Sequence, residues 1–278
     1  MKIQVLGPLH AVADGTAVTP AAGKERQILA LLALHPGRPV PVSGLIEELW
    51  GSRPPRTAHS TVQTYILRLR RALAAALGGP GRPDGPHRAR RLLATGHGSY
   101  LLRIAEEDVD AFAFQRAARA GHAAFADGEG ERTARLLREA LALWRGPALV
   151  DVPAGEALRV QAARLEEARL LATERCVDAG LRLGRHSELI PDLVELTIRH
   201  PKNERLHAQA MVAFYRSGRQ SSALELYRAL RRRLVDELGL EPSPQLQRLH
   251  EAILAVDPRL DVLAQGGRPT PTFDLYAA

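Results

Sequence analysis

The chain has 278 residues, 45% of them apolar but only 4% aromatic, and it carries a formal net charge of +7. That length suits about two domains of roughly 100–200 residues each, and the apolar fraction excludes global disorder. The single cysteine, Cys176, excludes a disulfide framework or a cysteine-based zinc site.

The basic charge is concentrated at one end. Residues 1–103 hold 14 Lys+Arg against 5 Asp+Glu, a net of +9, whereas the remainder holds 24 against 26, a net of −2. Lysine occurs only at positions 2, 24 and 202, so arginine is favoured throughout. A general bias toward arginine does not produce the asymmetry, and the first third therefore reads as the part that meets a polyanion.

Taken in order, KIQVLGPLHAVADGTAVTP predicts short strands around an Asp14-Gly15 turn. Its apolar stretch is too short for a signal peptide, and no window approaches the ~18 consecutive apolar residues of a membrane span. The expectation is a cytoplasmic, nucleoid-associated protein with no membrane partner. Gly23 to His35 predicts a helix stopped by Pro36-Gly37. In the next segment Ser43 is read as an N-cap with Glu47 as its acid, and Leu45, Ile46, Leu49 and Trp50 as the buried side. Gly51 to Pro55 then breaks the chain.

Thr57 to Leu73 predicts one amphipathic helix. Val62, Ile66, Leu69 and Leu73 recur at the period of a buried stripe. Thr61, Thr64, Arg68 and Arg71 project from the far side. Gly78 to Pro86 is dense in Gly and Pro and predicts a mobile loop. LLATGHGSYLLRI then predicts a strand, a tight turn and a second strand. Strands, three helices and a hairpin, in that order, are the elements of a winged helix preceded by a small sheet.

Glu106, Glu107 and Asp108 mark the join to a second region. Helices are predicted over 109–126, 131–144, 155–183, 187–199, 203–217, 220–238 and 243–256, separated by Gly or Pro. LGRHSEL around Gly184 is echoed by SGRQSSAL around Gly218, a spacing of 34 residues that matches the tetratricopeptide period. The fold class is therefore mainly α: an N-terminal winged helix-turn-helix with a short sheet and a hairpin wing, then an all-α, tetratricopeptide-like domain. The expected boundaries are 1–104, 105–260 and a disordered tail over 261–278, where Phe273 and Tyr276 could form a short docking motif.

The helix over 57–73 suits insertion into the major groove. Arg68 can donate two hydrogen bonds to guanine O6 and N7, the commonest specific contact. Thr61, Thr64 and Tyr65 can reach phosphates or thymine methyls, Arg70 and Arg71 can clamp the backbone, and the outward Leu67 could meet a thymine methyl. In the hairpin, His97 and Thr95 are the expected contacts, while Tyr100 packs beneath the turn. No catalytic constellation is found. The ten histidines form no H-E-x-x-H or close ligand set, and His200 and His207 read as surface or capping residues. There is no phosphate-cradling loop and no nucleophile elbow. The chain is expected to be no enzyme, with no catalytic residues, metal or cofactor.

At this point the residues resemble a known family. KIQVLGPL, K-x-R-Q-I-L-A-L-L-A-L, L-I-E-E-L-W-G, P-P-x-T-A-x-x-T-V-Q-T-Y-I-x-R-L-R-R-A-L and T-x-x-x-S-Y-L-L are similar to the Streptomyces antibiotic regulatory proteins. D-V-D-A-F-x-F, A-L-x-L-W-R-G, H-P-x-N-E-R-L-H and G-R-Q-S-S-A-L-E-L-Y resemble their bacterial transcriptional activation domain. The resemblance runs from about residue 2 to 256 and is to the small, stand-alone class.

It implies an OmpR-type winged helix whose DNA-facing positions are Ser60, Thr61, Thr64, Tyr65, Arg68 and Arg70, with Thr95 and His97 in the wing. Wings of this type often read Gly-Tyr after a basic residue, whereas here His97 precedes Gly98-Ser99-Tyr100. The turn from Trp50 to Ala58, with Arg53 and Arg56, matches the loop such activators turn towards RNA polymerase. The resemblance implies an activator of a secondary-metabolite cluster. It would bind direct repeats in double-stranded DNA near the −35 element, as a homodimer or side-by-side pair, and recruit RNA polymerase with its principal sigma factor. The competing readings are a helical-repeat scaffold localised to DNA, and a repressor that occludes a promoter.

Overall fold

The computed structural model describes residues 1–78 and 84–260. Strands β1 (Lys2–Gln4), β2 (His10–Ala13) and β3 (Thr16–Ala17) form an antiparallel sheet in that order, with Ile3 opposite Ala11 and Ala13 opposite Thr16. Asp14 and Gly15 make the tight turn, both at positive φ (44° and 80°), as a two-residue hairpin of the primed type requires.

Helix α1 (Gly23–Ala33) is buried continuously from Gln27 to Ala33 and ends one turn short of Pro36. Strand β4 (Val40–Pro41) leads into α2 (Val42–Trp50), whose N-cap is Pro41. Ser43 therefore lies inside the first turn rather than capping it. The buried side also differs from expectation. Leu45, Glu48 and Leu49 are buried, while Ile46 and Trp50 are only half-buried, because the Glu48 carboxylate finds backbone N–H donors inside.

Helix α3 (Ala58–Leu77) continues a full turn past Leu73, carried by Ala74–Ala76 and by Leu77, which stays on the buried stripe. Composition marks Gly78–Pro86 as loop throughout, yet Gly85 already opens α4 (Gly85–Leu92). Pro86 stands in the first turn, where its missing N–H and fixed φ do no harm. Residues 79–83 of that stretch lie outside the described residues, as does the tail over 261–278 with Phe273 and Tyr276. Strands β5 (Leu93–Gly96) and β6 (Ser99–Leu102) form the hairpin, and β4 pairs on the other side of β6.

A 3₁₀ turn (Glu106–Asp108) precedes seven helices: α5 (Asp110–Ala126), α6 (Gly130–Leu141), α7 (Glu156–Arg182), α8 (His186–Arg199), α9 (Glu204–Arg216), α10 (Gln220–Leu238) and α11 (Pro244–Leu254). The helix–Gly–helix unit occurs at Gly128, Gly184 and Gly218, with φ of 78°, 77° and 74°. Each glycine closes the same Schellman cap, in which the following N–H reaches back across the last turn. Glu129 N donates to Ala124 O, Arg185 N to Gly180 O and Arg219 N to Phe214 O. A side chain with a Cβ is strained at such a φ, which is why the glycines punctuate the sequence.

The chain divides into two compact units. One comprises the described residues of Met1–Arg116 with Ala140–Arg169, and the other Ala117–Glu139 with the described residues from Leu170 on. The first is stitched by long-range bonds that local sequence does not advertise. Val5 N and Leu6 N donate to the Asp110 carboxylate, Arg145 N donates to Leu6 O, and Leu9 N donates to Asp151. In the second unit, Met211, Val212, Tyr227, Leu230, Leu246, Leu249 and Ile253 join α9, α10 and α11, while Val177, Leu181, Leu193 and Ala210 join α7, α8 and α9.

Candidate nucleic-acid interface

Helix α3 hides Ala58, Val62, Ile66, Leu69, Leu73 and Leu77 and turns Ser60, Thr64, Leu67, Arg68 and Arg71 to solvent. Leu67 is 47% exposed, a large apolar side chain in the middle of a polar face. Thr61 and Tyr65 are half-buried at its margin. The hydroxyls on this face turn inward to their own helix. Ser60 Oγ and Thr61 Oγ1 donate to Thr57 O at 3.0 and 2.9 Å, and Thr64 Oγ1 donates to Ser60 O at 3.0 Å. In these rotamers they offer acceptor lone pairs and, for threonine, a methyl; donation to a phosphate needs the hydroxyl proton to leave its intrahelical carbonyl.

The three arginines of the helix have different surroundings. Arg68 is 57% exposed, and its Nη1 lies 3.1 Å from Glu25 Oε1 of α1. Arg71 is exposed and forms no ion pair among the described residues. Arg70 instead turns toward the hairpin. Its Nε and Nη2 both donate to Leu93 O, at 2.9 and 2.7 Å, and Nη2 also donates to Thr95 Oγ1 at 2.7 Å. The guanidinium lies 5.9 Å from the ring centroid of Tyr100, which is buried at 6% exposure. Burial is the main influence lowering the Arg70 pKa; the Tyr100 ring opposes it and the charge of Arg90 adds to it. Arg70 thus latches the hairpin to the helix.

In the hairpin Thr95 stands opposite Tyr100 and Gly96 opposite Ser99, leaving His97 and Gly98 as a two-residue tip. His97 is exposed there. Val42 N donates to Gly98 O at 2.9 Å, tying the tip to the start of α2. The structure therefore brings Ser60, Thr61, Thr64, Arg68 and Arg71 onto one helix with Arg70 linking that helix to Thr95. Neither the latch nor the Glu25 pair had a sequence signal, since both partners are remote along the chain.

The loop ahead of α3 is equally accessible. Arg53 and Arg56 are exposed. Trp50 is half-buried, with the Lys24 ammonium 5.8 Å from its ring centroid. Trp50 and Lys24 line an open cleft of about 810 Å³ together with His59, Pro153 and Arg159.

Elsewhere, polar groups serve packing. Of the two readings for His207, surface or capping, the surface one fails: it is buried, with Nδ1 2.8 Å from the carbonyl of Asn203, the N-cap of α9. Burial pushes the Cys176 thiol up, away from a reactive thiolate. No group of three or more His, Cys, Asp or Glu able to hold a metal occurs among the described residues. No helix among them is long and apolar enough to cross a membrane.

Residues 109–254 match the family described as Bacterial transcriptional activator domain, and residues 17–81 match Transcriptional regulatory protein, C terminal. The chain is 50% identical over 261 residues to Regulatory protein DnrI of Streptomyces peucetius, covering 94% of each. It is 38% identical to Transcriptional regulator RedD of Streptomyces coelicolor, covering 94% of this chain and 73% of RedD. The structure of Mycobacterium tuberculosis EmbR in complex with low affinity phosphopeptide superimposes with a TM-score of 0.81 at 34% identity, covering 99% of this chain and 67% of that one.

Proposed function

The chain belongs to the Streptomyces antibiotic regulatory protein family, and on that premise we propose that it activates one biosynthetic gene cluster by binding direct repeats near a −35 element. It is a DNA-binding transcriptional activator of the pathway-specific kind. The observation that carries the reading is the latched pair of α3 and hairpin: a polar and arginine-bearing helix face, held by Arg70 beside a His97-tipped turn. An α-helix fits the major groove, and a hairpin so attached reaches the neighbouring minor groove.

In this reading Arg68 chooses bases, Arg71 and the hydroxyls of Ser60, Thr61 and Thr64 hold phosphates, and Leu67 meets a thymine methyl. Tyr65 borders the contact, and Thr95 and His97 supply the wing. Trp50, Arg53 and Arg56 face RNA polymerase with its principal sigma factor. Direct repeats suit side-by-side copies, because half-sites about one helical turn apart, roughly 10 base pairs, present the same DNA face to both. Such a protein works in the cytoplasm at the nucleoid.

Purified RNA polymerase and the promoters flanking the protein's own gene provide the test. More transcript on adding the protein, with a footprint over paired direct repeats beside the −35 element, is expected. Less transcript from bound DNA would instead make it an occluding repressor, and unchanged transcript from bound DNA a scaffold.

A further inference from the structure

We propose that Arg90, on the exposed side of α4, holds a phosphate of the DNA strand lying between the groove read by α3 and the groove entered by the β5–β6 hairpin. The proposal rests on the DNA-binding reading above. It extends that reading to a helix beyond residues 17–81, the span matched by the regulatory-protein family.

One face of α4 is fixed on the end of α3. Gly85 lies so close beneath the Ala74 carbonyl that a Cβ there would sit 2.5 Å from the oxygen. Arg88 Nη1 donates to Leu77 O at 2.7 Å, and Ala89 is 1% exposed. At about 100° per residue, Arg90 points away from this anchored face. It is exposed and forms no ion pair among the described residues.

The three arginines of α4 do not all face one way. Arg88 pairs with Asp14 at 2.9 Å. Arg91 lines the same cleft as Arg88, with Met1, Asp14 and Arg103, beside the N-terminal sheet. Arg90 projects about 100° further round the helix from Arg91, close enough for its charge to act on Arg70, the residue that latches helix to hairpin.

Leu92 then runs directly into β5, so Arg90 rides on the connection between the reading helix and the wing. A protein that places a helix in one groove and a hairpin in the next must span the phosphodiester strand between them. A free guanidinium on that connection has a phosphate as its natural acceptor.

Phosphate contact is independent of sequence, so no operator is needed to test this. Fluorescence anisotropy with a mixed-sequence duplex of about three helical turns, repeated over a range of salt, reports the contact directly. Arg90→Ala should weaken binding several-fold and flatten the slope of log K against log salt by about 0.9. Arg90→Lys should restore the slope, and Arg91→Ala, which removes the same charge from the cleft beside the N-terminal sheet, should leave it unchanged. An unaltered slope for Arg90→Ala, or an equal loss for Arg91→Ala, overturns the assignment. Should the unmodified protein show no salt-dependent binding to any duplex, the DNA-binding reading itself falls, an outcome distinct from either.

Discussion

If Arg68 reads DNA as proposed, it must first give up Glu25, its partner at 3.1 Å. The Arg68 end of that pair is 57% exposed but the Glu25 end only 12%, so solvent screens it only in part, and a bidentate arginine–guanine contact, worth ~1–3 kcal/mol of discrimination, has to compete with it. On the proposed role, Glu25 holds the side chain near its working position until DNA takes it. Arg68→Ala is expected to cost about 1–3 kcal/mol on the footprinted operator and to relax choice at one base pair. Equal losses on operator and random duplex would put Arg68 on the backbone instead. Arg70 plays a different part, because lysine would keep its charge but could not hold Leu93 O and Thr95 Oγ1 together through a planar fork. Arg70→Lys should speed amide exchange across Leu93–Leu102 and weaken DNA binding; unchanged exchange would dispose of the latch. The outward set on α3 was legible because burial has a 3.6-residue period. Which arginine stays on the exposed face and which turns inward was not, since Glu25 and the Leu93 carbonyl lie far off in sequence.

Among the elements, α2 and α7 are joined by one buried carboxylate. Glu48 Oε1 accepts from Gly155 N at 2.5 Å and Oε2 from Leu158 N at 3.2 Å, so a residue of α2 caps the first turn of α7. Gln27 Nε2 donates to the Glu48 carbonyl at 2.6 Å and to its Oε1 at 3.1 Å. Gly155 is required here, because a Cβ would lie 2.1 Å from that same carbonyl oxygen. Glu48→Ala strands these donors and should cost about 1–3 kcal/mol in denaturant melts, with Glu48→Gln retaining part of the cap. A fully stable Ala variant would mean that water caps the helix equally well. Adjacent acids such as Glu47 and Glu48 look alike in sequence, and only the partner 107 positions away separates them. The long helices were legible for the opposite reason: each Schellman turn needs its glycine locally. Helix α4 was hidden by the same logic, since Gly85 and Pro86 signal a break in sequence while Pro86 occupies the first turn, where a helix tolerates it.

For the molecule as a whole, acid sensitivity follows from its histidines. Burial first, and the charge of Arg175 second, push His122 from 6.5 down to about 4. His186, His207 and His250 are lowered as well, each chiefly by burial. The unfolded chain takes up these protons as pH falls below 6.5, while the folded chain resists until about 4 at His122. Stability contributed by His122 is thus fully present above pH 6.5 and is lost progressively between 6.5 and about 4. His122 is half-buried, so solvent screening limits its share to roughly 1–2 kcal/mol. Thermal melts at pH 7 and pH 5 should show a smaller acid loss for His122→Gln than for the unmodified chain; an identical loss would assign the effect to the other histidines. The charge asymmetry was legible at this scale by counting, but the return of residues 140–169 to the first unit was not, because Leu9 and Asp151 meet across 142 positions. That return bears on how such regulators can be recombined. A gene fusion that cut the chain at 104 would carry Glu48 away from Gly155 and Leu9 away from Asp151, leaving orphaned polar groups in both products. The DNA-reading head is therefore no free cassette for exchange between effectors. Helix α7 begins among residues of the first unit and ends among those of the second, so a cut that respects the predicted boundary would still leave one helix spanning both.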